Sequence, residues 1–170
     1  MIHDSSRDAL RESAQVIQKL KEDGNIRKAA KVAAFYPITG EPDLRPFLKE
    51  LAGQNKLLLP RTLDAETMVF YEVRDLDSDL ARGRFGIWEP KAELPVWKNE
   101  IPVFLVPGRK FSIDGARYGK GKGYYDRFLA LHPDSVKIGV AFSSQISEEP
   151  LALQAHDIRM NYIVFSKIKE

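Results

Sequence analysis

Apolar residues recur at helical spacing near the start of the chain, where Leu10, Ala14, Ile17 and Leu20 follow Ser5 and Asp8 and precede Asp23-Gly24-Asn25. That spacing predicts an amphipathic helix with a capping box at Ser5 and Asp8, ended by the Asp-Gly-Asn run. The pattern then changes. Val32 to Tyr36 is a short apolar run stopped by Pro37, which reads as a buried strand leading into a loop at Thr39-Gly40-Glu41-Pro42. A helix is predicted from Asp43 to Ala52, closed by Gly53, with strands at Lys56 to Leu59 and at Thr67 to Val73. Val103 to Val106, Val136 to Phe142 and Tyr162 to Phe165 complete the strands, and Tyr124 to Leu131 reads as a further helix. Strands alternating with helices predict an α/β fold with a mainly parallel sheet covered on both faces, whose ligands collect beyond the carboxyl ends of the strands.

Two stretches escape this alternation. Between Asp75 and Pro102 the pattern is irregular and rich in Gly, Pro and aromatics, and Phe85, Trp88 and Trp97 mark it as a candidate ligand wall. The second is Arg117-Tyr118-Gly119-Lys120-Gly121-Lys122-Gly123-Tyr124-Tyr125-Asp126, between a strand and a helix. Alternate glycines let a backbone curl its N–H groups around an anion, and Arg117, Lys120 and Lys122 add positive charge, so this reads as a phosphate-handling loop. It is not a Walker A loop, because no Ser or Thr follows either lysine to hold a metal. Asp126 is then the nearest candidate metal ligand. A basic surface loop would share the glycines and lysines; the adjacent tyrosines and the acid argue against it.

Composition narrows the partners. The chain has 170 residues, a length that fits one domain, and no cysteine, which excludes disulfides, thiolate metal sites and a cysteine nucleophile. Its net charge is +2, from 26 basic and 24 acidic residues spread along the sequence, so no nucleic-acid partner is expected. Charges interrupt Met1 to Leu20 and no apolar run approaches membrane-spanning length, so a soluble, cytoplasmic protein is expected, without a membrane partner. His3, His132 and His156 lack metal-ligand spacing; His132-Pro133 reads as the end of a helix and His156 as structural.

Glu41-Pro42-Asp43, Leu59-Pro60-Arg61, Gly86-Ile87-Trp88-Glu89-Pro90, Val106-Pro107-Gly108, the run from Arg117 to Leu129, Ile138 to Phe142, Gln145 and His156-Asp157 together resemble the 5-formyltetrahydrofolate cyclo-ligase family. The resemblance covers essentially the whole chain, 1–170, as one domain. Its most specific piece is Gly121-Lys122-Gly123-Tyr124-Tyr125-Asp126-Arg127-Phe128-Leu129. It implies a three-layer α/β/α fold with a Rossmann-like sheet, expected as a monomer, and an ATP- and Mg2+-dependent closure of 5-formyltetrahydrofolate to 5,10-methenyltetrahydrofolate with release of ADP and phosphate. Arg7 and Arg11, four apart on one helix face, would reach the nucleotide phosphates. Arg117, Gly119, Lys120, Gly121, Lys122, Gly123, Tyr124 and Tyr125 would hold ATP, with Lys122 and Arg117 as the catalytic cations. Glu41 would contact the folate together with Lys120, Tyr124 and Phe85. Asp126 would bind the metal, with Asn161 standing where the family usually carries a second aspartate. Arg109 and Lys110 also stand where small or apolar residues are common in the family. These departures keep two other readings open: a relative acting on another formyl or amide compound, and a non-catalytic folate- or nucleotide-binding protein.

Overall fold

The computed structural model describes residues 5–167; His3 lies outside them. The first helix, α1 (Ser5–Glu22), is already helical at Ser5, so the predicted capping box falls at the edge of the described residues. The first helix ends, as predicted, just before Asp23. The Asp23 carboxylate accepts the Ile26 N–H at 3.0 Å and caps a short second helix, α2 (Gly24–Lys28), that the Gly-Asn pair had concealed.

The central sheet is built from β1 (Val32–Ala33), β2 (Leu57–Thr62), β3 (Met68–Glu72), β6 (Val103–Val106), β9 (Val136–Ala141) and β11 (Tyr162–Phe165), in the order β11-β9-β6-β1-β2-β3. All neighbours are parallel except β3, which runs antiparallel to β2. From β1 the chain passes through α3 (Arg45–Gly53) to β2 on one side, and later reaches β6 on the other. The order therefore reverses between β1 and β6, which is where a sheet of this kind opens a crevice for a ligand. Pro60 lies in β2 beyond Leu57 and Leu58, the residues paired with β1, so its missing N–H leaves no gap in that pairing.

Alternation along the strands sends side chains into two cores. Val32, Leu57, Leu59, Val103 and Leu105 face α1, α2 and α3. Ala33, Leu58, Phe104 and Val106 face the other way, towards Leu129 of α4 (Tyr124–Ala130). Each fully buried Leu or Phe contributes roughly 1.5–3 kcal/mol. The second covering layer is mixed: beside α4 lies a three-stranded sheet of β7 (Lys110–Ser112), β8 (Arg117–Tyr118) and β10 (Ile146–Ser147). Phe111 of β7 packs directly on β9 at Gly139, where a Cβ would come within 2.6 Å of the Phe111 ring and of Ile163.

Two expectations need correction. The buried stripe of α1 is Ser13, Val16 and Leu20, while Leu10 is 67% exposed and Ala14 is exposed. The packed face is centred on Val16 and Leu20, with Ile17 half-buried against the same core, and polar contacts flank it: Ser13 Oγ accepts the Asp43 N–H at 2.8 Å and Lys19 Nζ donates to the Phe165 carbonyl at 2.5 Å. The stretch from Asp75 to Pro102 is not wholly irregular either, because β4 (Leu80–Arg82) and β5 (Trp88–Pro90) form an antiparallel hairpin with Phe85 in its turn. Within that stretch Trp97 packs against the second core, whereas Trp88 stays 38% exposed beneath the Arg82 guanidinium. Among the described residues no helix is long and apolar enough to cross a membrane.

Because Phe111 and Ile163 are held on both sides of Gly139, Gly139→Ala is expected to destabilise the fold by about 1–3 kcal/mol, an overpacking cost. Urea denaturation should show a lowered midpoint with an unchanged slope.

Candidate functional site

The crevice at the strand-order reversal is formed by the loop after β1, which carries Glu41, and by the loop after β6, which runs through Pro107-Gly108 into β7 and β8. Its floor is Arg117. The guanidinium side chain is 7% exposed, its Nε donates to the Pro107 carbonyl at 2.7 Å, and it lies 5.2 Å from the centre of the Tyr125 ring. Asp126 approaches it at 3.9 Å, and the charges of Asp157 and Glu41 also act on it. Burial pulls the Arg117 pKa down and these neighbours push it back, and an arginine stays protonated throughout. Gly119 belongs to the same packing, because a Cβ there would sit 2.9 Å from the guanidinium.

Above this post the loop turns at Gly121 and Gly123, with φ of 87° and 71°, backbone that side-chain-bearing residues rarely adopt. The two turns leave Lys120 and Lys122 with different neighbours. Lys120 Nζ lies 3.6 Å from Glu41 Oε2, bridging the two sides of the crevice, while Lys122 Nζ lies 5.8 Å from the centre of the Phe85 ring. The structure therefore brings Phe85, which is 51% exposed, to the glycine loop. Since α4 spans only 7 residues, the positive charge here comes from side chains more than from a helix dipole.

The loop is also stapled to the turn between β2 and β3. Tyr124 donates its hydroxyl to the Asp64 carbonyl at 2.9 Å, and Arg127 Nε donates to the Glu66 carbonyl at 2.9 Å. Arg127 also reaches back to the Lys122 carbonyl at 2.8 Å and covers the Tyr124 ring. Burial raises the Tyr125 phenol, with Arg117 opposing it, so Tyr125 enters the site as a neutral ring and hydroxyl. Arg7 and Arg11 are exposed on α1. The turn that follows them is fixed to this same end of the sheet by Glu12, which accepts hydrogen bonds from Ser143 and Ser166, just beyond β9 and β11.

Asn161 stands apart from the cluster. Its amide oxygen accepts the Lys137 N–H at 2.7 Å and its own N–H donates to the Lys137 carbonyl at 2.7 Å, at the amino end of β9. The oxygen expected to face a metal is thus used in starting the pairing of β11. Asp126 instead has Asp157 for an acidic neighbour: Asp126 Oδ1 accepts the Ile158 N–H at 3.1 Å, and Asp157 acts on Arg117. Sequence reasoning did not single out Asp157 because it lies between α4 and β11 outside any regular element, and tertiary contacts bring it near Arg117. Among the described residues no group of three or more His, Cys, Asp or Glu side chains is placed to hold a metal.

Glu41 is the buried carboxylate of the crevice. Its side chain is 7% exposed, and burial raises its pKa against the opposing Ile38 N–H, Lys120 and Arg117. A carboxyl raised in the folded state keeps its proton at a pH where the unfolded chain has lost it, so its contribution to stability falls as pH rises out of the ordinary glutamate range. The stability of Glu41→Gln relative to the parent is therefore expected to be higher at pH 7 than in acid below the usual glutamate range. Thermal melts at the two pH values read the difference directly.

Similarity to known proteins agrees with this geometry. Residues 2–166 match the 5-formyltetrahydrofolate cyclo-ligase family. The chain is 31% identical over 127 residues to the 5-formyltetrahydrofolate cyclo-ligase of Haemophilus influenzae, covering 70% of this chain and 67% of that one. It is 50% identical over 117 residues to the Mycoplasma pneumoniae 5-formyltetrahydrofolate cyclo-ligase, covering 67% and 60%. The NMR structure of Aquifex aeolicus 5,10-methenyltetrahydrofolate synthetase superposes with a TM-score of 0.84 at 37% identity, over 95% of this chain and 81% of that one. With a matching fold, a glycine loop at the strand-order reversal and a family match across nearly its whole length, the chain belongs to the 5-formyltetrahydrofolate cyclo-ligase family.

Proposed function

We propose that the protein converts 5-formyltetrahydrofolate and ATP, with Mg2+, to 5,10-methenyltetrahydrofolate, ADP and phosphate at the crevice between Glu41 and the glycine loop. The observation that carries this reading is the convergence of Lys120, Lys122 and the buried Arg117 opposite a buried carboxylate and beside an exposed Phe85. Such a site can hold a polyphosphate on one side and a flat heterocycle with N–H donors on the other.

The chemistry needs charge placement more than covalent help from the protein. The formyl oxygen attacks the γ-phosphorus of ATP, an O–P bond forms, and the bond to the ADP oxygen breaks. N10 then adds to the activated carbon, and the phosphate departs with the C–O electron pair as N10 loses its proton. Lys122 and Lys120 approach from the crevice side and stabilise the negative charge on the moving phosphoryl group, and Arg117 supplies fixed positive charge from below. Gly121 and Gly123 keep the backbone close to the phosphates. Arg7 and Arg11 extend the cationic surface from α1. Glu41 accepts from N–H donors on the pterin edge, and Phe85 covers its face.

Asp126 is the carboxylate the chain offers to Mg2+, which suits an ion held mainly by phosphate oxygens and water with one or two protein carboxylates. When bound, that ion neutralises charge on the phosphate oxygens. Asn161, whose oxygen is engaged with Lys137, has no part in this proposed site.

Purified protein mixed with 5-formyltetrahydrofolate and MgATP is expected to give a rise in methenyl absorbance that a chelator abolishes. Lys122→Ala should lower kcat by about 10²-fold, the scale for removing one stabilising cation or donor. Phe85→Ala should instead raise the KM for the folate about tenfold, ~1.4 kcal/mol of lost contact. A flat trace from folded, nucleotide-binding protein, or an unaltered folate KM in Phe85→Ala, would contradict these assignments.

A further inference from the structure

One face of α1 is tied to the end of β11 by a seam of polar side chains at successive turns. Lys19 Nζ donates to the Phe165 carbonyl at 2.5 Å, Gln15 Oε1 accepts the Lys167 N–H at 3.0 Å, and Glu12 Oε1 accepts the Ser166 hydroxyl at 2.6 Å. Glu12 Oε1 also accepts the Ser143 hydroxyl at 2.8 Å, and Ser166 Oγ accepts the Ser143 N–H at 3.0 Å. Ser166 is fully buried at the centre of this set, with Glu12 and Ser143 half-buried around it. The next residue of the helix, Ser13, accepts the Asp43 N–H at 2.8 Å, two residues past Glu41. The turn Glu12-Ser13 is thus bonded to the segments that follow β1, β9 and β11, all at the carboxyl end of the sheet, immediately after Arg11 and one turn after Arg7.

An exposed arginine on an overhanging helix is useful to a nucleotide only if the helix cannot slide or roll. The apolar stripe alone does not prevent this, since Leu10 is 67% exposed and the buried positions near Arg11 begin with the hydroxyl of Ser13. A carboxylate holding two hydroxyls is directional, and charge-assisted hydrogen bonds are about twice as strong as neutral ones. We propose that Glu12 is a positioning residue that fixes Arg7 and Arg11 over the crevice through its bonds to Ser143 and Ser166. This rests on the reading that the two arginines meet the nucleotide phosphates.

The test is calorimetric binding of a non-hydrolysable ATP analogue with Mg2+ to the full chain, in parent, Glu12→Ala, Glu12→Gln, Arg7→Ala/Arg11→Ala and the triple variant. Glu12→Ala is expected to raise Kd about tenfold, ~1.4 kcal/mol. Glu12→Gln, which keeps an acceptor oxygen, should restore most of that loss. The triple variant should bind no more weakly than Arg7→Ala/Arg11→Ala, because Glu12 acts only through the arginines. An unchanged Kd in Glu12→Ala, or its full effect repeated in the arginine-free background, overturns the role of Glu12 alone. An unchanged Kd in Arg7→Ala/Arg11→Ala overturns the reading of the arginines, and the route for Glu12 falls with it. If Glu12→Ala melts below the assay temperature, Ser166→Ala carries the same comparison through the other partner of the bond.

Discussion

The site depends on a guanidinium removed from water. Burying a charge costs several kcal/mol unless its hydrogen bonds and counter-charges are supplied. Arg117 finds them in the Pro107 carbonyl, the Tyr125 ring and the carboxylates of Asp126, Asp157 and Glu41. Those partners come from the end of β6, from α4, from the stretch before β11 and from the loop after β1. Four separate segments must therefore arrive together before the charge is satisfied. The same requirement explains Gly119, whose missing side chain leaves room for the guanidinium, and it gives the glycine loop a rigid underside although its turns are made of the most permissive residue type.

The sheet was legible because its signals are local. The run Val103 to Val106 is apolar on both faces, as a central parallel strand must be, Val136 to Ala141 is interrupted only by Lys137 and Gly139, and every predicted strand lies in the sheet. What stayed hidden has no local signal. The pairs Lys110 with Tyr118 and Ile146 with Phe111 form strands of two or three residues whose stability comes from packing on β9. Similarly, α2 exists because Asp23 caps it, while its Gly-Asn start reads as a stop. The rotation of α1 was missed for a related reason: apolar spacing favoured Leu10 and Ala14, but the buried face runs through Val16 and Leu20, with Ser13 beside them accepting the Asp43 N–H.

For the proposed site, residue types and spacing singled out the glycine loop, and the aromatic-rich setting singled out Phe85, which the fold brings to Lys122. Asn161 shows the limit of carrying a role over by position. Its place just before the last strand says nothing about which group its oxygen faces, and here that group is a backbone N–H of the neighbouring strand. Asp157 shows the opposite limit, because it reaches the cluster through tertiary folding of an irregular segment.

The contact between Lys120 and Glu41 has a thermodynamic consequence on the proposed assignment. Each is the other's internal counter-ion, and on that assignment each would also face one of the two ligands. A nucleotide that draws Lys120 towards its phosphates releases Glu41 for the pterin, and a folate that occupies Glu41 releases Lys120 for the phosphates. Whichever arrives first removes a competitor of the second. Linkage requires the benefit to be equal in both directions, so a single 3.6 Å ion pair gives this small crevice cooperative filling without any change of fold.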